Sequence, residues 1–231
     1  MKTLGLIGGI SWVSTIDYYR LINEGINAHL HGLNFAKCLI HSFNYADIKR
    51  NNDNNDWAST LAMITDASLN LKASGAEGIV LCANTMHKIA DELQAAVNLP
   101  VIHIATETAA EIERQNVKTV ALLGTKFTME MDFFRSKLDA KNIGVLIPDE
   151  EDRAFVHYTI FEELGRGIVN PDSRKRYISI IESLVAKGAQ GAILGCTEIP
   201  MLVKPGDVSV PVFDTTQIHA AAAVKFSLGL S

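Results

Sequence analysis

The sequence predicts an α/β fold of two pseudosymmetric domains, each a parallel sheet flanked by helices, with the active site in the cleft between them. The first observation is an internal duplication, because three blocks of the first half recur in the same order in the second half. The paired blocks are residues 2–9 and 118–125, residues 75–85 and 188–198, and residues 100–103 and 211–214. The offsets of 116, 113 and 111 residues nearly agree. A period this long indicates two similar domains rather than a solenoid of short repeats.

The second observation is that short apolar runs alternate with helical patterns along the whole chain. This alternation predicts parallel strands whose two faces are covered by helices. We predict a first domain of residues 1–98 plus 208–231, to which the C-terminal helix returns, and a second domain of residues 99–207. Ligands of such folds bind beyond the carboxyl ends of the strands.

In the first half, the spacing of apolar residues predicts strands at 4–7, 36–43, 79–81 and 100–103. Helices are predicted from Ser14 to about residue 29, from the capping residue Asp56 toward Gly75, over 86–96 and over 106–114. Residues 51–56 are strongly polar and are expected to form a loop. Ser14 is expected to cap the first helix.

The second half restarts at Lys118 and repeats the pattern. Strands are predicted at 144–147 and 210–213, besides the repeated run before Cys196. Helices are predicted over 133–141, 152–164 and 218–228. Another helix opens at Asn170, with Pro171 at its first position, where proline fits well.

The bulk properties exclude several classes of partner. The 231 residues carry a net charge of −5, which argues against nucleic acid and anionic membranes. We find no apolar run long enough to span a bilayer and no signal-peptide pattern. Three cysteines do not make a disulfide framework, so we expect free thiols in the cytoplasm.

Two of the cysteines occupy equivalent places in the duplication. Cys82 and Cys196 each follow a short apolar run entered through a Gly-Ala-x-Gly turn. Buried packing is the ordinary explanation for a cysteine, and we accept it for Cys38, which lies inside an apolar strand. For the duplicated pair we predict a chemical role. The amides of a following helix are expected to lower their pKa.

Two opposed thiols suit paired acid–base chemistry. A structural disulfide is not expected in a cytosolic chain, and no cluster has metal-ligand spacing, so we predict no metal. One thiolate could remove a proton from a carbon while the opposite thiol returns one to the other face. The resulting enolate-like charge needs preorganised donors.

Polar groups near the thiols could supply those donors. A carboxylate could be held by the backbone amides of two loops and by three side chains. The loops are residues 8–11, which include Ile10 and Ser11, and residues 124–125, which include Thr125. The side chains belong to Asn84, Thr85 and Thr197.

Charged residues could also belong to the site. Arg50 or Arg166 could pair with a second carboxylate, or either could be an ordinary surface charge. Glu198 could orient an ammonium group or raise the pKa of the Cys196 thiol. His87 could simply line a helix, without a role in the site. No nucleotide-binding glycine fingerprint is present, so we predict no cofactor.

Three motifs resemble the aspartate/glutamate racemase family. They are Gly-Leu-Ile-Gly-Gly-Ile-Ser-Trp at 5–12, Leu-Cys-Ala-Asn-Thr-Met-His at 81–87 and Leu-Gly-Cys-Thr-Glu-Ile-Pro at 194–200. Residues 210–216 fit as well. The resemblance covers the whole chain and implies racemisation without pyridoxal phosphate by Cys82 and Cys196, in a homodimer. It also implies substrate contacts by Ala83, Asn84 and Thr85, and it places Asn52 and Arg166 near family positions with polar and basic side chains.

Two departures bear on the substrate. Some relatives have threonine at Ala83, and glutamate racemases often have histidine at Glu198. We therefore expect a dicarboxylic amino acid, most readily aspartate, with glutamate or a broader range left open. The alternatives are a hydantoin racemase or maleate isomerase of the same fold, and a carboxylate-binding protein without turnover.

Overall fold

The computed structural model describes residues 1–230 and divides into two units. One unit comprises Met1–His103 together with the chain from His219 onward, and the other comprises Ile104–Ile218. The predicted boundaries after residue 98 and before residue 208 are corrected by strand pairing. The strand at Val101–Ile102 pairs with Gly78–Leu81, and the strand at Val212–Asp214 pairs with Ala192–Gly195, so each closes the sheet of its own half.

The first unit holds a parallel sheet of four strands in the order β2-β1-β3-β4. Its strands are β1 (Leu4–Gly8), β2 (Cys38–Ser42), β3 (Gly78–Leu81) and β4 (Val101–Ile102). Its helices are α1 (Trp12–Leu30), α2 (Tyr45–Asp53), α3 (Trp57–Ala73) and α4 (Ala90–Val97), and a 3₁₀ turn spans Thr85–Ile89.

The second unit repeats this arrangement with the order β6-β5-β7-β8. Its strands are β5 (Thr119–Gly124), β6 (Gly144–Leu146), β7 (Ala192–Gly195) and β8 (Val212–Asp214). Its helices are α5 (Ile104–Arg114), α6 (Lys126–Glu130), α7 (Asp132–Asp139), α8 (Glu150–Glu162) and α9 (Pro171–Ala186). Two 3₁₀ turns span Leu164–Arg166 and Ile199–Met201, and α10 (Thr215–Leu228) is the last helix.

The two Gly-Ala-x-Gly turns have the same backbone in both units. Gly75 and Gly188 have φ values of 102° and 109°, a region that side chains rarely enter and that glycine adopts freely. The next amide bonds back to the preceding helix at 3.0 Å in both copies, from Ala76 to Leu71 and from Ala189 to Leu184. The duplication is therefore structural as well as sequential, and the fold class is confirmed.

Each sheet is buried on both faces. In the first unit, α1 and α10 cover one face and α3 and α4 cover the other. The buried side chains of α1 and α10 in the first of these layers are Tyr18, Ile22, Ile26, Ala220, Ala223 and Val224. In the second unit, α8 and α9 cover one face while α5 and α7 cover the other.

Several local predictions are confirmed and others are corrected. Asp56 caps α3 by accepting from the Ser59 amide at 3.0 Å, and Asn170 precedes Pro171 at the start of α9, as expected. The polar stretch 51–56 is helical as far as Asp53, because α2 packs Ile48 into the core. No helix among residues 1–230 has the length and apolarity needed to cross a bilayer.

Candidate active site

Cys82 lies directly after β3 and is completely buried. Its amide continues the sheet by donating to the Ile7 carbonyl at 2.9 Å. Its sulfur packs in the apolar layer that contains Tyr18 and Val80. Burial raises the pKa of the thiol far above its ordinary value, and proximity to Cys38 raises it further.

The predicted lowering of the Cys82 pKa is therefore wrong. The 3₁₀ turn that follows is only five residues long, so it supplies a weak dipole beside a large desolvation cost. Removing a thiolate from water disfavours the charged form more strongly than these few amides favour it.

The start of α1 holds the Cys82 backbone in place. Ser14 donates its hydroxyl to the Cys82 carbonyl at 2.7 Å, and this bond is buried. The predicted capping role of Ser14 is wrong, because α1 begins earlier and Ser11 caps it. Ser11 has φ of 77° and accepts from the Ser14 amide at 3.4 Å. The cap thus frees the Ser14 side chain to reach Cys82.

The loop after β1 is tied to the same helix. The Gly9 amide donates to the Thr15 hydroxyl at 2.9 Å, so this amide is already used inside the protein. A side chain at Gly8 would place its Cβ 2.5 Å from Thr15 Cγ2, which explains the need for glycine. Ile10 is buried, and Ser11 is half-buried.

The residues after Cys82 remain candidates for substrate contact. Ala83 and Thr85 are half-buried, and Asn84 is buried but its side chain makes no capping hydrogen bond to the turn that follows. Asn52 lies on α2, where its Oδ1 atom accepts from Thr60 of α3 at 3.1 Å. Contact of these four residues with a substrate stays a prediction.

Cys196 occupies the equivalent position after β7 in the second unit. Its sulfur donates to Glu198 Oε2 at 2.8 Å, and the Thr197 hydroxyl donates to the same oxygen at 2.7 Å. Burial raises the pKa of the Cys196 thiol well above its ordinary value, and the negative charge of Glu198 adds to this shift. The expected lowering of this pKa is also wrong.

Thr125 lies at the neighbouring strand end of the same unit. It caps α6, where its hydroxyl accepts from the Thr128 amide at 3.3 Å. A side chain at Gly124 would approach the Gly195 carbonyl to 2.9 Å, so the strands β5 and β7 are closely spaced just before Cys196. The structure thus brings Thr125, Cys196, Thr197 and Glu198 to one end of the second sheet.

The two arginines are surface residues in this structure. Arg166 pairs with Glu162 at 2.5 Å and Arg50 pairs with Asp47 at 2.9 Å, both with largely exposed side chains. Such exposed pairs are weak and exchange easily with another carboxylate. A substrate contact by Arg166 stays a prediction.

Sequence reasoning missed a buried aromatic group beside Cys82. It contains Tyr18, His87 and His219, whose side chains come from α1, the 3₁₀ turn and α10. The only feature of the sequence that pointed to this group was the position of His87, five residues after Cys82. All three cysteines are free thiols, and within the described part of the chain no group of acidic, histidine or cysteine side chains could hold a metal ion.

The sequence profile of the Asp/Glu/Hydantoin racemase family matches residues 7–223, so this α/β chain with two equivalent strand-end thiols belongs to that family. Among curated proteins, the chain is 26% identical over 165 residues to the broad specificity amino-acid racemase RacX of Bacillus subtilis, covering 70% of each.

Solved structures agree with this assignment. A crystal structure described as a "putative Asp/Glu Racemase from Yersinia pestis" is 48% identical, with a TM-score of 0.94 over 99% of this chain and 100% of that one. An aspartate racemase homologue from Pyrococcus horikoshii OT3 is 35% identical, with a TM-score of 0.87 over the same shares.

Proposed function

We propose that this protein is a cofactor-independent racemase of a dicarboxylic amino acid, with aspartate as the first substrate to test. In this proposal Cys82 and Cys196 exchange the α-proton. The observation that carries it is the equivalent position of the two thiols. Cys82 directly follows β3, which pairs with β1, and Cys196 directly follows β7, which pairs with β5. A family relative named for broad specificity supports testing further amino acids as well.

The chemistry requires both sulfurs to reach one α-carbon from opposite sides. One thiolate takes the α-proton as the C–H bond breaks, and the electron pair moves into the adjacent carboxylate as an enolate-like charge. The other thiol then gives its proton to the opposite face of the carbon. The proton count is unchanged, and the two sulfurs have exchanged roles.

The raised pKa values fit this role. A thiolate of high pKa is a stronger base toward a weakly acidic carbon than one of low pKa. Cys196 can become a thiolate by passing its proton to Glu198 Oε2, along the 2.8 Å hydrogen bond. We propose that Cys196 is the base in this resting arrangement and that the buried Cys82 thiol is the acid.

The other predicted residues are proposed to bind the substrate. We assign the α-carboxylate to Asn84, Thr85 and Thr197, and to the loops that carry Ile10, Ser11 and Thr125. Arg166 is proposed to leave Glu162 and pair with the side-chain carboxylate, and Asn52 and Ala83 are also proposed to contact the substrate. The assignments of Asn52 and Arg166 rest on the family resemblance, and those of the other residues rest also on their placement after the ends of β1, β3, β5 and β7.

The decisive experiment follows the α-proton of L-aspartate in heavy water by NMR. We expect loss of the α-proton signal together with the appearance of D-aspartate. Cys82→Ser and Cys196→Ser should each lower racemisation by about 10²–10⁴-fold, the usual contribution of a positioned acid or base. Cys38→Ser is the matched control, since Cys38 lies in β2 and should retain activity.

The same assay separates the alternatives. Binding of aspartate without proton exchange would identify a carboxylate-binding protein. Exchange at a hydantoin but not at aspartate would favour the hydantoin branch, which the family description includes. Isomerisation of maleate, without racemisation of aspartate, would identify a maleate isomerase.

We further propose that the protein is a cytoplasmic homodimer. Three free thiols suit a reducing compartment. Trp12, Ile16 and Tyr19 lie at helical spacing on α1 with more than half of each side chain exposed, a pattern that suits a protein interface. Sedimentation equilibrium measures the mass of the assembly, and a monomer would contradict this proposal.

A further inference from the structure

A group of buried aromatic side chains lies behind the Cys82 turn and has no part in the chemistry proposed above. Tyr18, His87 and His219 are buried, with the histidine rings 5.1 Å apart. Buried histidines are ordinarily held by hydrogen bonds, and the partners of these two rings determine which nitrogen carries the proton.

The tautomer of His219 follows from its two neighbours. Its Nε2 atom lies 2.7 Å from the Ile102 carbonyl, which can only accept, so this nitrogen carries the proton. Its Nδ1 atom then accepts from the Tyr18 hydroxyl at 2.7 Å. Tyr18 and His219 therefore brace the end of β4 with fully satisfied hydrogen bonds.

His87 has the opposite tautomer. Its Nδ1 atom faces the carbonyls of Ala83 and Asn84 at 3.0 and 3.3 Å. Its Nε2 atom is 3.4 Å from the Ile102 carbonyl, which already accepts from His219. Burial lowers the pKa of His87 well below its ordinary value, so the ring is neutral with one proton. That proton belongs on Nδ1, where two carbonyls share it.

We propose that His87 is a positioning residue for the turn after Cys82, and this inference rests on the proposed racemase function. By donating to the Ala83 and Asn84 carbonyls, the ring holds the direction of the turn. The Asn84 and Thr85 side chains thereby keep their place relative to the Cys82 sulfur. A five-residue 3₁₀ turn has few hydrogen bonds of its own, so a side-chain brace has a large effect on it.

The first test needs no activity and no variant. Nitrogen-15 NMR of the histidine rings distinguishes the two neutral tautomers in the unmodified protein. We expect His87 in the Nδ1–H form and His219 in the Nε2–H form. His87 in the Nε2–H form would overturn the inference, because the bonds to Ala83 and Asn84 could not exist.

The second test uses two amides of different reach. In His87→Asn the side-chain nitrogen can take the place of Nδ1, whereas in His87→Gln it extends toward the place of Nε2. We expect His87→Asn to keep kcat/KM within about fivefold, because the hydrogen bond to the turn is retained. His87→Gln should lose about 100-fold, mainly in kcat, because the turn is misplaced without loss of the binding residues.

A thiol measurement separates this inference from the proposed function. Alkylation by iodoacetamide, mapped by mass spectrometry, should be faster at Cys82 in His87→Gln than in wild type or His87→Asn, with Cys196 unchanged. If wild type shows no racemisation but Cys82 responds in this way, the proposed function fails and the positioning role stands. Equal rates of Cys82 alkylation in both variants and wild type would refute the positioning role. If a variant does not fold, the tautomer measurement on the unmodified protein decides whether His87 has this role.

Discussion

Lowering the pH should destabilise the protein through His219 well before the carboxylates are protonated. Burial, together with the nearby His103, lowers the pKa of His219 to about 4, although the hydrogen bond to the Ile102 carbonyl acts in the opposite direction. The ring also faces Tyr18 from α1 and His87 from the 3₁₀ turn. It cannot accept a second proton without losing the bond from Tyr18.

The sign and the magnitude follow from linkage. The unfolded chain binds this proton below about pH 6.5, whereas the folded chain binds it only near pH 4, so stability falls as pH decreases through that window. For His219 alone the loss is about 2 kcal/mol between pH 7 and pH 5, and about 3 kcal/mol by pH 4. His87, whose pKa is also lowered by burial, adds a loss of the same sign.

The assay is urea unfolding at pH 7, 6 and 5 for the wild type and His219→Gln. The amide of glutamine keeps a donor toward Ile102 but does not titrate, so the loss between pH 7 and pH 5 should shrink by about 2 kcal/mol. His31→Gln is the matched control, because the His31 side chain is exposed in the folded and the unfolded chain alike. If His219→Gln loses as much stability as wild type over this range, the reasoning is refuted.

Two further predictions concern the surroundings of the thiols. Ser14→Ala removes the buried hydrogen bond to the Cys82 carbonyl, which should lower the free energy of unfolding by about 1–3 kcal/mol in urea titrations. An unchanged midpoint would show that the bond contributes nothing. Glu198→Gln removes a negative charge beside Cys196 while keeping an acceptor for its proton, so the Cys196 pKa should fall. Its alkylation should then rise at lower pH than in wild type, and an unshifted pH profile would contradict the role of Glu198.

Local backbone features were predictable from the sequence because their causes are local. Gly75 and Gly188 must adopt a positive φ at the turn before each central strand, and only glycine does so freely. Asp56 caps the helix that immediately follows it. The duplicated blocks predicted two similar sheets for the same reason, since each short apolar run determines its own strand.

Ser14 and the two thiols have properties that local sequence patterns do not predict. Ser14 has the residue type and position of a cap, but its hydroxyl bonds to Cys82, which lies 68 residues away in the chain. The pKa values of Cys82 and Cys196 were predicted to fall and instead rise, because desolvation depends on every segment that packs around a sulfur. The sequence does not show which segments pack around each sulfur, so the direction of these pKa shifts could not be predicted from it.

By itself, the sequence determined the α/β class, the duplication, the racemase family and the pair of cysteines at equivalent strand ends. These properties depend on hydrophobic periodicity, glycine placement and short motifs, all of which act over a few residues. Only the tertiary structure decided how deeply the thiols are buried, what Glu198 accepts, and which histidine nitrogens face the carbonyls around Cys82. The burial of Cys82 and the hydrogen bonds of the two histidines arise where α1, the 3₁₀ turn, β4 and α10 meet, and residues distant in the chain set them together.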